Sequence, residues 1–331
     1  MPVKRRKRTL AGTALLMLVG AALLFRGGPA AAAAGDAGSI WGANYFPNVP
    51  LVTHEGKSVR FFDDLIKGKV VVINFIYTSC PDVCPLETAR MREVQEILGD
   101  RVGRDIFMYS ISIDPEHDTP EVLKRYAEKF EVGPGWWFLT GKEADITLIR
   151  RKLGLYSDEK GAEKLEAHAV SSIVGNQATG RWMRMSPFVN PHVMATQIGS
   201  WLHNWKMPAK KEQDYASAPK VRNISKGESL FRNRCSACHT IGGGADIARM
   251  SGKRNVGPDL AGVTRKRDRA WLIRFIAESD KMVAEKDPLA LELLALYDNV
   301  LMPNLRLNDD EIQALLTYIE EESRRTEPGG H

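Results

Sequence analysis

"VVVINFIYTSCPDVCP", Val70–Pro85, decides how this chain is read. Val70 to Tyr77 is a nearly continuous β-branched and aromatic run, which suits a central strand buried on both faces. Directly after it come Cys80 and Cys84, separated by three residues instead of the two usual in dithiol redox motifs. If a helix begins here, positions i and i+4 project both sulfurs from one face. Pro81 and Pro85 suit a strand-to-helix turn, and a helix N-terminus lowers thiol pKa. Asp82 reads as a helix-start residue whose charge also biases the site toward cations. Two converging thiolates are soft ligands that select Cu(I), and one imidazole would complete a three-coordinate set. The same pair can also close a disulfide, and the spacing alone does not separate the two uses.

Working outward, Met91, Val94 and Leu98 recur at helical spacing, and a second strand is predicted over Ile106–Ile113. The loop "DPEHDTP" leads to a helix over Glu121–Phe130, and a further helical stretch covers Ala144–Leu153. A strand at Ala169–Val174, a hairpin at "GNQATGRW" and a helix over Pro191–Trp205 complete the order expected of an α/β thioredoxin-like domain, residues 36–205. Residues 206–222 mix Lys, Ala, Pro and Ser without periodicity and read as a linker. Helical signals then resume without a convincing strand, predicting an all-α domain over residues 223–322 and a frayed tail at 323–331. Ser225 with Glu228 and Asn308 with Glu311 fit capping boxes, and Ile312, Leu315, Leu316 and Ile319 form a one-faced stripe in the last helix.

The net charge of +5 is carried by the start of the chain, where Lys4, Arg5, Arg6, Lys7, Arg8 and Arg26 all precede the first acid, Asp36. The remainder is close to neutral and offers no nucleic-acid surface. That basic start, the apolar run Leu10–Phe25 and "RGGPAAAAAG" form the pattern of an export signal over residues 1–35. The run is shorter than the ~20 residues of a membrane span, although retention as an N-terminal anchor fits too. Either outcome places the chain in the periplasm or on the outer face of the cytoplasmic membrane. Four cysteines in two close pairs describe two chemical sites, not a disulfide-stapled fold.

The second pair lies in "RCSACHT", a C-x-x-C-H at Cys235, Cys238 and His239. Two thiols one helical turn apart form thioethers with haem vinyl groups, and the adjacent histidine becomes an axial iron ligand. A structural zinc site would need four ligands, which this domain does not supply. Met250, Met282 and Met302 are the candidate sixth ligands. With "GPDLAGV" (Gly257–Val263), "WLIRFI" (Trp271–Ile276) and the Met302-Pro303-Asn304 loop in that order, the domain resembles a class I cytochrome c. The resemblance implies haem c with Met302 as the distal ligand and the Pro258 loop alongside the proximal histidine.

"NFIYTSCPDVCP", "SISIDPEHDTPEVLKRYAEKF" and "GWWFLTG" together resemble the Sco/SenC family of copper-handling proteins of respiratory oxidase assembly, over roughly Asn44–Trp205. The resemblance implies one copper held by Cys80, Cys84 and His168; His117, in "PEHDTP", is a rival by its loop position, but similar proteins need no histidine there and it reads as solvated. The resemblance also implies a partner in the copper-bearing subunit of cytochrome c oxidase or a related oxidase, together with an electron donor or acceptor protein. The stretch "GNQATGRWMRMSPFVNPHVMATQ" departs from the family pattern. Three functions follow: copper delivery with the haem as a one-electron partner; thiol–disulfide exchange, in which Cys80 attacks and Cys84 resolves; and a thiol peroxidase, of whose surround "YTSCPDVCP" keeps only part. A dithiol step moves two electrons whereas one haem or one copper moves one, which favours the first.

Overall fold

In the computed structural model, Val70–Ile76 forms β3, a strand buried at every one of its positions. The structure describes residues 41–80, 83–156, 165, 170–203, 223–242 and 256–326. The export segment, the linker, Asp82, His168 and Met250 lie outside them. Burial of each large aliphatic side chain contributes roughly 1.5–3 kcal/mol, so β3 anchors the first core.

Around β3 stand β1 (Pro50–Thr53), β2 (Ser58–Arg60), β4 (Ile106–Ser112), β5 (Trp136–Thr140), β6 (Ser172–Asn176) and β7 (Arg181–Met185). They form one sheet of order β2-β1-β5-β4-β3-β6-β7. The central β3, β4 and β5 run parallel, joined through α1 (Cys84–Leu98) and α2 (Pro120–Lys129), while β6 pairs antiparallel with β3 and with β7. This is the thioredoxin-like arrangement, with α3 (Glu143–Lys152) before β6 and α4 (Pro191–Thr196) after β7.

Several details differ from the sequence reading. The β1–β2 hairpin and β5 are additional strands, too short for periodicity to separate from loop. β6 begins at Ser172 instead of Ala169. The α-helical part of the helix expected over Pro191–Trp205 ends at Thr196, and the chain continues in wider turns over Gln197–Trp201.

In the second domain α5 (Lys226–Leu230) starts at Ser225, whose side chain accepts from the Glu228 amide at 3.0 Å, and wider turns carry the chain to Cys235. Next come α6 (Val263–Lys266), α7 (Arg269–Ala284), α8 (Pro288–Leu296) and α9 (Asp309–Thr326). The cap of α9 is reciprocal: Asn308 N–H donates to Glu311 and Glu311 N–H to Asn308, both at 3.0 Å. The predicted stripe Ile312, Leu315, Leu316 and Ile319 is buried against Phe231, Leu272 and Ile276. At Gly227 the two helices come so close that a Cβ would lie 2.0 Å from the Ala314 carbonyl oxygen. α9 also runs past Glu322: Ser323 is buried and accepts from the Gly262 amide at 3.0 Å, so the expected tail begins later. Among the described residues this domain contains no strand.

Candidate metal and haem sites

The chain leaves β3 at Tyr77, turns with the Cys80 amide bonded to the Tyr77 carbonyl at 3.3 Å, and enters α1 at Cys84. Asp118 fixes this turn. Its buried carboxylate accepts from the Thr78 amide at 3.0 Å, from the Thr78 hydroxyl, and from Ser112 Oγ at 2.6 Å, tying the end of β3 to the end of β4. Sequence reasoning passed over Asp118, because a carboxylate in a polar loop looks like any solvated one.

Cys80 and Cys84 are both reduced and buried, and their side chains hydrogen-bond to each other. The expectation that the helix N-terminus lowers the thiol pKa does not hold for Cys84. Its hydrogen bond to Cys80 and its burial push the thiol well above the usual thiol range. Among the described residues no group of three or more His, Cys, Asp or Glu forms a metal cage. His117 instead turns Nδ1 to Asp118 at 3.0 Å and leaves its side chain 56% exposed. His168 lies outside the described residues.

Below the thiol pair, Trp136 Nε1 donates to Ser110 Oγ at 2.9 Å, Ser110 Oγ to Asn74 Oδ1 at 2.7 Å, and Asn74 Nδ2 to Glu87 Oε1 at 3.0 Å. Glu87 is buried on α1, and its Oε2 has no hydrogen-bond partner. Burial raises the carboxyl to about 7; the Asn74 bond lowers it, and the nearby Cys80 adds to the rise. The folded state therefore holds this proton to higher pH than the unfolded chain, whose carboxyl titrates near 4.5. The contribution is fully present below that value and is lost as pH rises through about 7. In the reduced, copper-free protein Glu87→Gln is expected to be about 3 kcal/mol more stable than the parent at pH 8, relative to their difference at pH 4. Denaturant titrations of both proteins at the two pH values check this, and parallel pH profiles would refute it.

The second site is an apolar cavity whose lining includes Cys235, Cys238, His239 and Met302. Shielding from water pushes both thiols up to about 12 and lowers the His239 pKa. His239 Nδ1 lies 2.9 Å from the Pro258 carbonyl oxygen, which can only accept, so Nδ1 carries the proton and Nε2 keeps a lone pair for a metal. Buried Ser279 donates to the Met302 carbonyl at 2.6 Å and fixes that loop. Ser279 follows Glu278, where α7 departs from helical geometry. Met282 is buried and does not line the cavity, unlike Met302. Two cysteines for thioethers, an oriented imidazole, a methionine in the same lining and apolar walls fit a haem c.

The architecture is thus a thioredoxin-like domain bearing a thiol pair, followed by a helical domain built around a haem cavity. Residues 43–203 match the SCO1/SenC family and residues 224–323 match the Cytochrome c family, so the chain joins a SCO1/SenC domain to a cytochrome c domain. It is similar to a SCO2-like protein of Rickettsia felis, 41% identical over 96 residues, covering 29% of this chain and 45% of the relative. It is also similar to Protein sco1 of Schizosaccharomyces pombe, 35% identical over 106 residues, covering 32% and 39% respectively. The chain spans less than half the length of these curated relatives. Among solved structures, Bradyrhizobium japonicum ScoI with copper bound is 28% identical at TM-score 0.39, covering 46% of this chain and 98% of that one. The cytochrome c domain of the pp3183 protein from Pseudomonas putida is 50% identical at TM-score 0.27, covering 30% and 89%.

Proposed function

We propose that this chain is an exported copper protein that serves the assembly of the copper site of cytochrome c oxidase or a related oxidase. Cys80, Cys84 and His168 hold one Cu(I) as cargo, and a haem c on Cys235 and Cys238 is ligated by His239 and Met302. The observation that carries the copper reading is the reduced thiol pair, hydrogen-bonded sulfur to sulfur where β3 passes into α1. Two thiols already converged need little reorganisation to take a soft cation, and each gives up a proton when it does. The haem, when bound, supplies a one-electron couple, which matches a single change between Cu(I) and Cu(II). Its donor or acceptor outside this chain is a second partner, and the N-terminal segment either directs export or anchors the protein to the membrane.

One observation favours a second reading. Glu87, raised to about 7 and close enough to Cys80 to feel its charge, suits the acceptance of a thiol proton during reduction of a target disulfide. In that case Cys80 attacks, Cys84 resolves the mixed disulfide, and two electrons pass to the target.

A Cu(I) titration of the reduced, oxygen-free holoprotein against a chromophoric chelator separates the readings. One copper held tightly, and weakened by about 10-fold or more in His168→Ala, is the expected result. Failure of the wild type to compete would leave the thiol-exchange reading. Wild-type affinity in His168→Ala would move the third ligand elsewhere, with His117 next to be substituted.

A further inference from the structure

The helix that begins at Cys84 does not belong wholly to the first domain. Leu86, two residues on, is buried in the hydrophobic core of the second domain with Phe231 and Cys235. Pro85 and Leu86 line the same cavity as Cys238, His239 and Met302. One turn further, Arg90 is only 3% exposed, an unusual state for an arginine on a helix flank. Its guanidinium donates to the Arg232 carbonyl at 2.6 Å and reaches Ser236 Oγ at 3.5 Å, while Glu93 pairs with it at 2.7 Å. Ser236 lies between the two haem cysteines, and Ser236 Oγ donates to the same Arg232 carbonyl at 2.8 Å. From the other side, Ala237, Cys238, Val256 and Val300 pack against the first domain's core.

We propose that the first two turns of α1 are a docking surface for the haem-attachment loop, with Leu86 as its apolar contact and Arg90 as the residue that positions the loop. This rests on the haem and copper reading above and adds to it the surface on which the two sites meet. The physical logic is a division of labour. Leu86 supplies burial without direction, whereas the buried guanidinium, neutralised by Glu93, bonds only a loop presented in one register. Since Cys84 opens the helix that Leu86 and Arg90 extend, the docked arrangement makes a thiol ligand the immediate sequence neighbour of Pro85, a side chain on the wall of the haem cavity. With both groups bound, Cu(I) would supply one electron and become Cu(II), an oxidised haem would take that electron up, and Cys84, Pro85 and Leu86 would be the residues that connect the two sites. No proton or third reactant is required.

The test uses the full-length holoprotein and two variants, Arg90→Ala and Leu86→Asp. An acid suits the first turn of a helix once the partner surface has gone, so Leu86→Asp keeps the first domain folded if Arg90→Ala does not. Solution scattering and amide exchange along α1 read docking directly. Both variants are expected to expand the particle and to speed exchange in the first turns of α1 by about tenfold or more, the scale of one lost charge-assisted hydrogen bond. Arg90→Lys, which keeps the charge without the fork, is expected to fall between them. Wild type as extended as the variants, or variants as closed as wild type, would overturn the proposal. Cu(I) affinity should not change in the variants, because neither residue is a copper ligand. If the wild type is docked but Cu(I) loading never reduces the haem, the one-electron reading fails and the docking surface stands.

Discussion

Cys84→Ser removes tight Cu(I) binding while leaving the first domain folded. Serine matches cysteine in shape and sits at the first residue of α1, where a hydroxyl is tolerated. On the proposed copper site it takes away one of two soft ligands, and the loss should exceed the roughly 100-fold that follows loss of an outer-shell partner of a metal. The pH dependence makes the test specific. In the copper-free protein Cys84 is protonated, its pKa held up by the hydrogen bond to Cys80 and by burial. Copper must displace that proton, so the apparent affinity of the wild type falls as pH is lowered and rises as it is raised, with about two protons released per metal. The variant should release about one and show the shallower slope. Chelator competition at several pH values gives affinity and slope together. Equal affinity in the two proteins would remove Cys84 from the ligand set.

The sequence revealed the parts of the fold whose signals are local. β3 announces itself by composition, the capping boxes at Ser225 and Asn308 by spacing, and the stripe on α9 by period, and each lies where its pattern puts it. The C-x-x-C-H and the Met302 loop reach one cavity because the helical framework closes around them. The elements missed depend on partners far along the chain. β1 is four residues and β2 three, and each is a strand only because a neighbour completes its ladder. Arg90 looks like a solvated helix residue until the second domain covers it, and Asp118 like a loop carboxylate until Thr78 and Ser112 converge on it. Glu87 carries the same lesson: nothing in "CPLETARM" says that its carboxyl meets Asn74 of β3 and is cut off from water. Charged residues acquire their roles from what buries them, which tertiary packing decides and a single sequence does not encode locally.

Gly257→Ala is the second large effect, and its cause is steric. A Cβ at residue 257 would lie 2.6 Å from His239 Cε1, 2.9 Å from Nδ1 and 3.1 Å from Nε2, so the imidazole has to move. The backbone itself would accept alanine, since Gly257 is not among the residues with positive φ. The displaced ring loses its Nδ1–H bond to the Pro258 carbonyl, now 2.9 Å, and with it the orientation that aims Nε2 into the cavity. Overpacking of this kind costs about 1–3 kcal/mol, and the holoprotein should melt lower by the corresponding amount. The haem should remain covalently attached, because Cys235 and Cys238 are untouched, while its spectrum shifts toward weaker axial ligation. Serine at 257 adds the same Cβ and should behave alike, which separates bulk from polarity. An unchanged spectrum and melting temperature in both variants would mean that the imidazole does not rest against residue 257 when haem is bound, and would remove Gly257 from the account of how His239 is aimed.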